Sequence, residues 1–308
     1  MGFGLTLAER NKISGNQLGI ICALAAASFY GCVPNFARAA FSHGVPAIET
    51  VLMRTTAIAV LLGLVALLRG ESFKLPRAAW PSFMGQAFAT FVVSASYLAS
   101  IQFIPVGLAV IIFFAFPVII VVLGPLVEGR SLSLARMAVA VLAFLGLGIA
   151  VGPGFDSLDM RGVLLAGAAA IGCALQFFTG RALGRFLQPA AFGSLVHIAI
   201  WPLVLAVALY SGGQNLQLLT GGLGVFAYVF VAGVCLAYLG GYFFHMSSLK
   251  AAPASVVAPY FNLEPIVTTV ISGTLLGETL KLNQYGGGAL VLAALVLAGF
   301  VGKQSNRV

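Results

Sequence analysis

From 78 to 127 and again from 186 to 249 the chain runs without a single Asp, Glu, Lys or Arg. A water-soluble globule cannot hide stretches of that length, because part of each would have to form its surface. A bilayer-spanning helix, in contrast, requires roughly 20 mostly apolar residues and no charge. Further charge-free runs cover 13–37, 137–155, 162–180 and 282–302. With 60% hydrophobic and 8% charged residues in 308 and a mean hydropathy of +1.06, the solvent for most of this chain is lipid. The expected class is an all-α integral membrane protein.

Divided into bilayer lengths, the runs give ten spans, at about 17–37, 47–68, 78–100, 105–126, 134–151, 162–182, 190–210, 222–249, 255–276 and 284–302. The turns between them carry their own signals, such as His43-Gly44-Val45-Pro46 and Gly152-Pro153-Gly154. Residues 1–16 read as a cytosolic tail and not a cleaved leader, since no small-residue cleavage site follows the first apolar run. The remaining divisions are a first five-helix repeat at 17–152, a connecting loop at 153–161, a second repeat at 162–302 and a tail at 303–308.

The two repeats are legible as a duplication. Tyr238, Tyr242 and His245 share one helical face, and 148 positions earlier Thr90, Ser94 and Tyr97 hold the same spacing. Pro253 and Pro265 fall on Pro105 and Pro117 at the same offset, and Glu278 follows Glu128 by 150. Five crossings per copy is an odd number, so the second copy enters the membrane from the opposite side and the repeats are inverted.

Loop charges support one orientation. With the amino terminus inside, the inner segments hold Arg10, Lys12, Arg69, Lys74, Arg77, Arg130, Arg136, Arg181, Arg185, Lys250, Lys303 and Arg307, against Arg38, Arg161 and Lys281 outside. That bias follows the positive-inside rule and places both termini in the cytosol. It also accounts for the net charge of +8, so no nucleic-acid partner is implied.

No nucleotide, metalloprotease or hydrolase motif is present, so an enzyme is not expected. Cys22, Cys32, Cys173 and Cys235 lie within spans without a CxxC pair, which predicts packing residues, no metal and no cofactor. Gly180 and Gly184, like Gly273 and Gly277, have GxxxG spacing and read first as helix packing. A monomer is favoured, with the oligomeric state open.

Polar groups in lipid are costly, so the two stripes should face protein or a water-filled path. Thr90, Ser94, Tyr97, Tyr238, Tyr242 and His245 are therefore candidate pathway residues. Tyr97 and His245 can alternatively be interfacial anchors; otherwise they mark opposite mouths of one path. Glu264 lies well inside the ninth span, and its counterpart in the first repeat is Phe116. With Tyr260 and Thr268 it shares a face at four-residue spacing. It either contacts a substrate ammonium or carries a proton, or it fixes packing through a neighbouring helix, and these readings stand level. Glu49 and Arg54, five residues apart, do not share a face and are expected to pair with other helices or sit near the interfaces. Pro117 and Pro265 are expected to bend their helices, as fixed kinks or as hinges.

These landmarks, with Phe29-Tyr30-Gly31 echoed by Phe178-Thr179-Gly180, resemble the drug/metabolite transporter superfamily, specifically EamA-type exporters of the YddG-like aromatic and amino acid kind. The resemblance covers nearly the whole chain. It implies a basket of ten helices, a central cavity lined by the third, fourth, eighth and ninth, and gating by parts of the first and sixth. It further implies export of small amphipathic metabolites, amino acids foremost, by alternating access. Anionic phosphosugars fit less well, because those four helices lack Lys and Arg. The alternatives are proton-coupled efflux of drugs or quaternary cations, and a non-transporting receptor or channel.

Overall fold

The structure, a computed structural model, describes residues 14–100, 103–104, 106–129, 133–151, 159–212, 216, 218, 221–275 and 282–304. Pro105, Glu278, most of the connecting loop and most of both tails lie outside them. The elements are α1 (Gly15–Ser42), α2 (Ala47–Leu68), α3 (Trp80–Ser100), α4 (Val106–Phe113), α5 (Phe116–Glu128), α6 (Leu134–Val151), α7 (Met160–Leu183), α8 (Pro189–Gly212), α9 (Val225–Ala251), α10 (Ala254–Val257), α11 (Leu263–Leu275) and α12 (Leu282–Gln304). Five of them, α1, α2, α7, α8 and α9, are each long and apolar enough to cross a membrane.

Local chemistry sets the helix ends. Ser14 and Gln17 form a reciprocal capping box at the start of α1, and the Asp159 carboxylate accepts from the Arg161 backbone N–H at the start of α7. Outward faces carry Leu64, Leu67, Leu164, Ile171, Val229 and Leu236, the apolar surface that a bilayer requires.

The most extensive helix pairs are α1 with α9, α3 with α7, α2 with α8, and α6 with α12. Each joins one repeat to the other. Exchanging the repeats turns the first pair into the second and maps the third and fourth onto themselves. The pairs run antiparallel: Gly19 meets Ala252 while Phe36 meets Gly233, and Gly146 meets Gly287 and Val291. An antiparallel pairing of equivalent helices requires a pseudo-twofold axis across the bundle, as the inverted repeat predicts.

The fourth and ninth spans differ from expectation. Neither is a bent helix. The fourth is interrupted at Phe114 and Ala115, and α5 begins with Phe116 and Pro117. The ninth passes from α10 through a 3-10 turn, Ala258–Asn262, before α11 begins at Leu263 with Pro265 as its third residue. In the first turn of a helix a missing N–H costs nothing. Each proline therefore starts a new helical segment instead of kinking an old one. The two interruptions occupy equivalent places in the repeats.

In lipid there is little hydrophobic drive between helices, so close packing and interhelical hydrogen bonds hold the bundle. A Cβ on Gly241 would come within 2.5 Å of the Tyr30 ring, and one on Gly31 within 2.8 Å of the Glu264 carbonyl oxygen. Glycine at these sites lets α1 lie directly on α9 and α11. Gly180 and Gly184 pack against Leu249 and Lys250 of α9, so their spacing serves contacts within the chain. Beneath them Phe116, Phe177 and Phe261 pack ring on ring, with centroids 5.4 and 4.9 Å apart, and are buried.

Candidate functional site

Beside this aromatic cluster, polar groups from five helices are only half-buried and are here called the chamber: Tyr30, Arg54, Ser94, Tyr97, Tyr238 and Glu264. Next to them Tyr242, His245 and His197 are buried. Polar and aromatic groups gathered among apolar helices are the kind of lining a binding pocket uses.

Arg54 enters from α2. Its guanidinium lies 4.4 Å from the centre of the Tyr238 ring, and Nη2 donates to Ser94 Oγ at 3.4 Å. Tyr238 lies 5.7 Å from Tyr30, 5.9 Å from His197 and 6.1 Å from Tyr242. Glu264, the second residue of α11, is within electrostatic range of Tyr30, Tyr97 and Cys173. Among the described residues no hydrogen bond or ion pair reaches its carboxyl. Tyr97 packs on Phe113, the last residue of α4, with centroids 5.0 Å apart.

A hydrogen-bonded floor joins α3 to α7. Thr90 donates to the Gln86 carbonyl at 2.8 Å and accepts from Gln176 Nε2 at 2.7 Å. Thr179 donates to Gln86 Oε1 at 2.6 Å. Tyr242 has its ring edge against His197, 4.6 Å between centroids, and its hydroxyl lies near Gln86 and Thr90. Among the described residues the Tyr242 hydroxyl, Gln86 Nε2 and His197 Nε2 are buried and no hydrogen bond of good geometry reaches them.

Of the residues singled out in sequence, Ser94, Tyr97, Tyr238 and Glu264 border the chamber, while Thr90 and Tyr242 form its floor. His245 differs. It does not stand at a mouth, but is enclosed by Phe177 at 4.4 Å, Phe261 at 4.7 Å and Tyr30 at 6.1 Å. Tyr260 also differs: it lies in the 3-10 turn, Ala258–Asn262, which breaks its four-residue register with Glu264. Thr268 ties α11 to α1, its hydroxyl lying 3.0 Å from both the Gly31 and the Glu264 carbonyl oxygens. Glu49 is buried and accepts from the Leu218 N–H at 2.8 Å.

Arg54, Tyr30 and His197 were not among the expected pathway residues. Each had a signal: Arg54 and His197 are ionisable groups inside apolar spans, and Tyr30 is the centre of the Phe29-Tyr30-Gly31 echo. The third, fourth, eighth and ninth spans do lack Lys and Arg, and the guanidinium arrives from the second span, outside them.

The sequence matches the EamA-like transporter family over residues 17–152 and 160–300, nearly its whole length and once per repeat. The chain belongs to that family and is a multi-pass membrane transporter. A protein of Archaeoglobus fulgidus described as an uncharacterized transporter is 23% identical over 199 residues, 63% of this chain and 68% of that protein. A solved crystal structure superposes with a TM-score of 0.80 over 95% of this chain and 100% of its own, at 14% identity, a likeness of fold.

Proposed function

We propose that this transporter exports small amphipathic metabolites, amino acids with aromatic side chains foremost, by alternating access between its inverted halves. In this reading it sits in a bacterial-type inner membrane as a monomer with both termini cytosolic. The observation that supports it best is Glu264, a carboxyl without a partner among the described residues, in a chamber bordered by Tyr30, Tyr97 and Tyr238. Aromatic faces accept an apolar side chain and an ammonium alike, and a partnerless carboxylate at mid-span implies an ion that comes and goes. The fourth and ninth spans are both interrupted, and broken helices are a recurring feature of transporter binding sites.

Efflux of organic cations would use Glu264 and the aromatic rings equally well, but Arg54 on the Tyr238 ring places a positive charge in the same chamber. The test is counterflow of labelled amino acids in proteoliposomes, with and without a pH gradient. Aromatic amino acids should exchange and a quaternary ammonium should not; the reverse result would replace this reading with cation efflux.

A further inference from the structure

Arg54 is the feature of the chamber that the proposed function leaves unused. Its guanidinium has five N–H donors, and the structure gives it one hydrogen bond, to Ser94 at 3.4 Å, and one ring, Tyr238, at 4.4 Å. Among the described residues no carboxylate pairs with it. A half-buried guanidinium in the middle of a helical bundle is costly without an anion. Among the described residues no ion pair joins Glu264 to it. Arg54 lies over the Tyr238 ring, whose centre is 5.7 Å from that of Tyr30, and Glu264 is within electrostatic range of Tyr30. A guanidinium and a carboxyl thus share the chamber unpaired, with aromatic side chains around them.

We infer that Arg54 is the receptor for the substrate's carboxylate, with Glu264 as the separate pole for its cationic group, so that the site selects zwitterions over simple cations. Resting on the amino acid reading above, the inference adds the group that reads the acid end. The guanidinium fork matches a carboxylate with two parallel hydrogen bonds. Stacking on Tyr238 fixes the plane of the fork, and the Ser94 hydroxyl holds one arm, so the remaining N–H groups are left for a ligand. A bound carboxylate would supply the counter-charge that the chain itself withholds.

The experiment compares labelled L-phenylalanine with L-phenylalaninamide, which keeps the ammonium and ring and lacks the carboxylate, in proteoliposomes of the wild type, Arg54→Gln and Arg54→Lys. The wild type should favour the acid over the amide. Arg54→Gln should raise KM for phenylalanine about ten- to hundredfold, the range of a lost hydrogen-bonded charge, while changing KM for the amide little. Arg54→Lys should fall between, since charge remains and the fork is lost. A purely structural Arg54 would instead depress both substrates together. Equal loss for acid and amide, or unchanged discrimination in Arg54→Gln, overturns the assignment while leaving the amino acid reading intact. If the wild type moves neither compound, the amino acid reading falls and this inference falls with it.

Discussion

The ring of Tyr30 lies against the bare backbone of Gly241, where a side-chain carbon would stand 2.5 Å from the ring. One glycine on α9 thus fixes where the α1 tyrosine stands beside Tyr238. Gly241→Ala should push Tyr30 out of place, lower stability by about 1–3 kcal/mol as overpacked cores do, and slow transport beyond any loss of folded protein. Gly286→Ala, where nothing lies within 4 Å of the new carbon, is the matched control and should leave both unchanged. Thermal unfolding in detergent and uptake at equal reconstitution measure the two effects. A Gly241→Ala protein equal to the control would show that the contact does not position the ring.

Glu264→Gln keeps the shape and most hydrogen-bonding capacity while removing the titratable charge. A carboxylate that binds an ammonium predicts weaker affinity for amino acids at every pH, by about tenfold or more for a lost charged hydrogen bond. A carboxyl that carries a proton predicts a flattened pH profile instead. A variant with wild-type affinity and an unchanged pH profile would reduce Glu264 to a packing role.

The orientation proposed from loop charges is open to direct test. Reporters placed after residue 308 and within 127–133 should both read cytosolic, and one near Asp156 should read external. A cytosolic signal near Asp156 would mean that the two halves do not enter from opposite sides.

The sequence carried the spans and the duplication because both are written in one dimension, as runs free of charge and as landmarks at a constant offset. Its reading of Pro117 and Pro265 as bends stopped short of the outcome, since only the 3-10 turn at Ala258–Asn262 shows that each proline opens a new segment. The same turn removed Tyr260 from the face of Glu264, a register that holds only on a continuous helix. Arg54 was visible as a mid-span charge, but its ring and its hydroxyl come from α9 and α3, and nothing local to α2 announces either. His245 kept its place on the helix and lost its expected mouth, because Phe177 of α7 and Phe261 of the 3-10 turn close over it.

The pairing of every principal helix with one from the other repeat also governs the order in which this protein can become stable. When residues 1–152 have left the ribosome, α1, α2 and α3 still lack α9, α8 and α7. Thr90 then waits for Gln176, Gln86 for Thr179 and Glu49 for Leu218. The first half must therefore persist in the bilayer as an unfinished surface, with its glycine seats empty and its polar groups unmatched, until synthesis has passed α9. The seam between the repeats is a boundary of ancestry, and assembly is completed across it.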